Sequence, residues 1–246
     1  MSTRHSLVTG AASGIGRAIA TRLVTDGHDV LAVDLKPDET GPGIPFAADL
    51  TTVAGNRGAV ERAIELFGGL DLVVPCAGFQ SVAPVPEFED ETWQSMISLL
   101  LTSPFLLSKY SWEHLRESGR GQIVIIASAH GIVASPFKSA YVSAKHGVLG
   151  LTKVLALEGA EHGIRAVAIC PGYVRTPLVE GQIPAQAAAH HMAEEEVLRE
   201  VILAPHAIKE LIEPEEVADT VAFLLTDAGR TFTGVPMVMD MGWSAR

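Results

Sequence analysis

The feature that most constrains this chain is a rhythm: short apolar runs alternate with longer amphipathic stretches along its whole length. SLVTG reads as a first strand, and GIGRAIATRLVTDG as a helix stopped by Gly27. HDVLAVDL is a second strand. A Gly/Pro-rich connection, TGPGIPF, leads to AADL as a third and to the helix VERAIELFGG. LDLVVPCAG, GQIVIIASA, IRAVAICPG and GVPMVMDMG continue the strand series. Between them lie three helical stretches: one from ETWQ to HLRES, one from SAYV to AEHG, and PEEVADTVAFLLTD with Pro214 at its start. Strands apolar on both faces that alternate with helices imply an α/β chain, a doubly wound parallel sheet with helices on both sides. With 246 residues, no internal repeat and no linker, residues 1–246 are expected to form a single domain.

One segment breaks the rhythm. Residues 174–212 are rich in Ala, Glu and His, with weak periodicity, and are too long for a plain connection. In such folds ligands bind beyond the carboxyl ends of the strands. An insertion after the sixth strand is therefore expected to hang over the site as a helical lid.

The charge balance is 18 − 29 = −11, with no basic stripe, which excludes nucleic acid as an expected partner. Cys76 and Cys170 are far apart and suggest neither a disulfide framework nor a zinc site. His190 and His191 precede three glutamates. Adjacent histidines point to different faces of a helix and no further ligand stands at a fixed offset, so no metal is expected. Neither a signal peptide nor an 18-residue apolar span is read, and the expected location is cytoplasmic.

TGAASGIG follows the first strand and opens the first helix. Gly10, Gly14 and Gly16 let the backbone approach a pyrophosphate, while the helix N-terminus supplies N–H donors. This is a Rossmann-type dinucleotide site. Asp34 ends the second strand, where a carboxylate can accept from ribose hydroxyls and repel a 2′-phosphate, which favours NAD over NADP. Lys36 and Arg17 lie close enough in sequence to blur that preference. Asp49-Leu50, at the end of the expected third strand, are candidate adenine contacts.

Thr9–Gly16, Cys76-Ala77-Gly78, Ser128, Tyr141 four residues before Lys145, and Pro171-Gly172 occur in the order and spacing of the short-chain dehydrogenase/reductases, which the chain resembles over nearly its whole length. The resemblance implies hydride transfer with Tyr141 as acid/base and Ser128 holding the substrate oxygen. Lys145 would lower the tyrosine pKa and hold the nicotinamide ribose. A free tyrosine, at pKa about 10, is a poor base, and a neighbouring ammonium favours its phenolate. The resemblance also implies cofactor contacts from Thr9, Ser13, Ile15, Ala77, Gly78, Pro171, Gly172, Val174 and Thr176, and a homotetramer.

Within that family, the runs IASAHGIVASPFKSAYVSAKHG and CPGYVRTPLVEGQI and the terminal GWSAR are similar to the bacterial D-3-hydroxybutyrate dehydrogenases. That likeness implies a small 3-hydroxy carboxylate as substrate, (R)-3-hydroxybutyrate oxidised to acetoacetate. Its contacts would be Gln80, Ser128, His130, Lys138, Gln182 and Trp243, with Trp243 helping to close a neighbour's site. Tyr173 stands where the group has a lid tryptophan, a departure expected to alter packing of the substrate's alkyl end. A different hydroxy acid or alcohol, or a dinucleotide-binding protein with weakened catalysis, stays open as an alternative.

Two departures support the last alternative. Pro75-Cys76 replaces the family's Asn-Asn, and Leu100 replaces an asparagine that shapes a helix bend and a water path from the lysine. Leu100→Asn is accordingly expected to raise turnover.

Overall fold

A computed structural model describes residues 3–181 and 183–245. Seven parallel strands form one sheet in the order β3-β2-β1-β4-β5-β6-β7. They are β1 (His5–Thr9), β2 (Asp29–Asp34), β3 (Ile44–Ala47), β4 (Leu72–Val74), β5 (Gln122–Ile126), β6 (Arg165–Pro171) and β7 (Pro236–Met239). The principal helices are α1 (Gly14–Thr25), α2 (Val53–Phe67), α3 (Asp90–Ile97), α4 (Ser103–Ser118), α5 (Ser139–Gly159) and α9 (Pro214–Leu224). Short α6 (Pro177–Glu180), α7 (Ile183–His190) and α8 (Glu194–Val197) lie between β6 and α9. The expected doubly wound fold is present.

Alternation along each strand divides the core. In β2, Leu31 and Val33 join Ala59 of α2 and Leu107 of α4, while Val30 and Ala32 join Ile19 of α1 and Val217 of α9. A strand with both faces buried must be apolar throughout, which is why these runs lack the usual polar alternation. Each fully buried Leu or Ile contributes roughly 1.5–3 kcal/mol, and Leu7, Leu31, Leu72 and Ile123 are all at 0% exposure.

Local signals set the helix ends. The Thr52 hydroxyl accepts from Gly55 N at 3.0 Å to start α2, and Gly68, at φ 76°, ends it. A capping box joins Glu213 and Glu216 ahead of α9, with Pro214 at its first turn.

The third strand is displaced from the expected AADL. It comprises Ile44–Ala47, three residues of the run taken as connection and the first of AADL, and Asp49 and Leu50 lie beyond it in the turn before α2. Gly43 makes this possible: at φ 82°, a Cβ there would stand 2.6 Å from Val30 O. As an edge strand, β3 also tolerates Pro45.

The described residues between β6 and α9 form α6, α7, α8 and a π turn, with a small core that includes Val197, Ile202, Leu203 and Leu211. A parallel bridge, Val174 to Ile212, pins both ends together. No helix among the described residues is long and apolar enough to cross a membrane.

Candidate active site

The strand order reverses at β1, which lies between β2 and β4. Beyond the carboxyl ends of β1 and β4 runs a groove of about 470 Å³, reaching from Asp34, Asp49 and Leu50 at one end to Tyr141 and Lys145 at the other. Gly10, Ser13, Gly14, Ile15 and Gly16 line its middle, and Ala77, Gly78 and Thr176 narrow it.

The glycine turn is sterically required. A Cβ on Gly16 would lie 2.1 Å from Gly10 O, and one on Gly10, at φ 67°, would lie 2.9 Å from Ala77 Cα. Ser13, the N-cap of α1, makes no side-chain cap, so the first N–H groups of the helix are left for a ligand. These features fit the pyrophosphate of a dinucleotide. At the adenosine end Asp34 Oδ2 accepts from Ala12 N at 3.1 Å. Arg17 is held by Asp38 at 2.7 Å. Asp49 accepts from the Thr51 hydroxyl and N–H, which hold its carboxyl below the usual range.

Thr9 stands behind the groove. Its buried hydroxyl accepts from Cys76 N at 2.9 Å and Ala77 N at 3.0 Å. This supplies what the missing asparagine amides left unexplained: the loop after β4 is tied down by its own backbone donors. The Cys76 thiol lines the groove but burial pushes it up to about 12, and Cys170 is pushed up to about 11 for the same reason. Both cysteines are free. Pro171, Gly172 and Val174 lie at and just after the end of β6. Gly172 N donates to Met239 O, and Val174 pairs with Ile212.

At the chemical end, Ser128 caps a 3-10 turn, its hydroxyl accepting from His130 N at 3.1 Å and hydrogen-bonding with Tyr141. One turn of α5 separates Tyr141 from Lys145, whose ammonium lies 5.5 Å from the tyrosine ring centroid and donates to Ile126 O at 2.8 Å. The expected acidification is not what these residues achieve alone. Protein packed round the phenol pushes Tyr141 up to about 12 against the opposing hydrogen bond from Ser128, while burial brings Lys145 down to about 8. Desolvation disfavours both charged forms, and at this depth it outweighs their proximity.

Leu100 is buried with Met96, Ala140 and Ala144, in the middle of a π turn (Ser98–Thr102) joining α3 to α4. The bend assigned to an asparagine is therefore built without one, closed by Ser103 N donating to Ser98 O. An asparagine here would bury an amide among apolar side chains, a cost that opposes the expected gain in turnover.

A second wall lies beyond Tyr141. His130 packs edge-on to Tyr141 and to Trp243, with centroids at 5.8 and 4.8 Å, and its Nε2 meets Ser135 Oγ at 3.1 Å. Burial, then Lys138 and His146, bring its pKa down to about 4, so the ring is neutral. Trp243 stacks on Tyr173 at 5.6 Å and 2°, and Lys138 Nζ donates to Tyr173 Oη at 3.4 Å. Trp243 thus meets His130 and Tyr173 of its own chain. Gln80 is half-buried in the loop after β4, next to groove-lining Phe79. Gln182 lies outside the described residues, as does the side chain of His190. Among the described residues no group of three or more His, Cys, Asp or Glu could hold a metal.

Sequence reasoning missed His206. It is fully buried, 5.7 Å from both the Tyr173 and Trp243 rings, and no motif marks it. Leu35 was also missed, though an apolar residue after the strand-end Asp34, 65% exposed and lining the groove, is a legible sign of a flat ligand.

A family pattern described as short chain dehydrogenase matches residues 4–187. The chain belongs to the short-chain dehydrogenase family. It is 40% identical to a D-beta-hydroxybutyrate dehydrogenase of Rhizobium meliloti (strain 1021), over 99% of this chain and 100% of the relative. It is 37% identical to one of Cupriavidus necator, over 99% and 98%. Other relatives, at 32–35% identity, are named for cyclohexanol or D-threitol. Among solved structures, a ligand-free aldohexose dehydrogenase of Thermoplasma acidophilum superposes with TM-score 0.92 at 30% identity, covering 99% of this chain and 95% of that one. Membership makes the protein an oxidoreductase that uses a nicotinamide dinucleotide, NAD or NADP.

Proposed function

We propose that this dehydrogenase uses NAD to oxidise a short 3-hydroxy carboxylate, with (R)-3-hydroxybutyrate to acetoacetate as the reaction. The observation that carries the reading is a juxtaposition. Tyr141, hydrogen-bonded to Ser128, stands at the end of the groove, and a chain of ring contacts through His130, Trp243 and Tyr173 leads from it to one ammonium, Lys138. In a chain of net charge −11, a half-buried cation against the ring of Tyr173 and near His130 is matched to an anion. The 37–40% identity to hydroxybutyrate dehydrogenases supports the same choice.

Ser128 and Tyr141 hold the substrate hydroxyl, and Tyr141 takes its proton as the C3 hydrogen leaves with its electron pair. Bound NAD supplies the hydride acceptor and a positive charge beside Tyr141. Lys145, with one N–H spent on Ile126 O, keeps two for a ribose. Lys138 pairs with the carboxylate.

The test is NADH formation on a panel of hydroxy acids and uncharged alcohols. (R)-3-Hydroxybutyrate is expected to have the highest kcat/KM, and Lys138→Met to raise its KM by about 10–100-fold, the loss of a charge-assisted hydrogen bond. Turnover of neutral alcohols alone would refute the acid substrate.

NAD is chosen because Asp34 faces the ribose position and Arg17, the neighbouring cation on α1, is engaged by Asp38. Asp34→Asn is expected to cut the NAD-over-NADP preference, read as the ratio of kcat/KM values, by about 10-fold. An unchanged ratio would show that the carboxylate does not select. Homotetramer assembly is part of this reading, supported by the family resemblance.

A further inference from the structure

We propose that the Tyr173 hydroxyl is a direct ligand of the substrate carboxylate, forming with Lys138 a two-residue clamp that selects hydroxy acids over neutral alcohols. This rests on the hydroxy-acid reading above and departs from the sequence-based expectation, which gave Tyr173 to the alkyl end.

Three observations place the phenol. Its oxygen accepts from Lys138 Nζ at 3.4 Å, and the same ammonium lies 5.5 Å from its ring centroid, so the polar tip and the cation converge on one point. Its ring cannot swing freely. Trp243 is stacked on it at 5.6 Å and 2°, and His206 packs at 5.7 Å and 40°. His206 is itself wedged in place: fully buried, with Nε2 3.0 Å from where a Gly172 Cβ would stand. Finally, Trp243, stacked on Tyr173, packs edge-on to His130 at 4.8 Å, and His130 packs edge-on to Tyr141 at 5.8 Å, which ties Tyr173 to the reacting phenol through two rings.

The chemistry follows from donor counting. The phenolic oxygen already receives a hydrogen from Lys138, so its own O–H is available to donate, and burial raises its pKa, which keeps that hydrogen in place. An ammonium and an adjacent O–H offer two donors to two carboxylate oxygens. A neutral alcohol would leave the Tyr173 O–H and the remaining Lys138 N–H groups without an anionic acceptor, and such unpaired groups reject analogues strongly. A tryptophan at this position would offer its single donor from a different place on the ring.

Tyr173→Phe keeps the ring, the stack on Trp243 and the contact with His206, so it removes only the hydroxyl. The expected result is a rise of about 10-fold or more in KM for (R)-3-hydroxybutyrate, with a smaller change in kcat and none in KM for NAD. KM for 2-butanol, the uncharged probe, is expected to stay constant. Combined with Lys138→Met, the two effects should multiply to less than their product, because each donor supports the other. An unchanged KM for the acid in Tyr173→Phe, or equal rises for acid and alcohol, would overturn the clamp while leaving the dehydrogenase reading standing. A wild-type enzyme inactive on every hydroxy acid would overturn both.

Discussion

Replacing Tyr141 with Phe is expected to lower kcat about 10³-fold, the scale of losing a positioned acid/base group. The ring would stay packed with Met96, Leu100, Ala140 and Ala144, so the melting temperature should hold within about 2 °C. The surrounding residues set this phenol up and do little chemistry themselves. Ser128 hydrogen-bonds it, His130 fixes its ring edge-on, and Lys145 lies 5.5 Å from the centroid. The pH dependence follows with a definite sign. The phenol must lose its proton to act as base, and burial holds it up to about 12, so the oxidation rate should rise with pH until the cofactor-shifted phenol has titrated. The residual rate of Tyr141→Phe should lack that rise. Steady-state NADH formation across pH is the measurement, and a variant within tenfold of the wild type would remove Tyr141 from the mechanism.

Gly16→Ala is expected to cost about 3 kcal/mol, at the upper end for overpacking, and to lower the melting temperature by roughly 6–12 °C. The added Cβ would stand 2.1 Å from Gly10 O and 2.6 Å from Gly10 C, both backbone atoms. Gly10 has backbone close behind it, since a Cβ built on it would lie 2.9 Å from Ala77 Cα and 3.0 Å from Ala77 N. The first turn of α1 must therefore move, carrying with it the N–H groups proposed to serve the pyrophosphate, so dinucleotide affinity should fall along with stability. Gly58→Ala in α2 is the control: nothing lies within 4 Å, and the change should stabilise by about 0.4–1 kcal/mol. Thermal melts and NAD titration check both. A Gly16→Ala protein that melts and binds like the wild type would show that the turn has slack the geometry denies.

Much of the site was legible because its logic is local. The glycine turn, Asp34, and Tyr141 one turn before Lys145 each combine residues a few positions apart with one element boundary, and helical spacing alone makes the last pair neighbours. Legibility failed where partners come from distant elements. Ile44–Phe46 of the third strand were taken for a connection because an edge strand carrying proline lacks the apolar signal, and its register comes from pairing with β2. His206 had no signal, since its burial depends on Tyr173 and Trp243 arriving from either side of it in sequence.

The chain's own periodicity determined the doubly wound sheet, since only buried parallel strands can be apolar on both faces, and its spacing determined which groups could pair along one helix. What the tertiary structure decided was their chemistry. Burial depth set Tyr141 near 12 and Lys145 near 8, backbone donors to Thr9 tie down the loop that lacks the asparagines, and Tyr173 is stacked on Trp243 with its hydroxyl on Lys138. Desolvation and ring packing depend on every neighbour in space, and one strand of sequence holds no record of them.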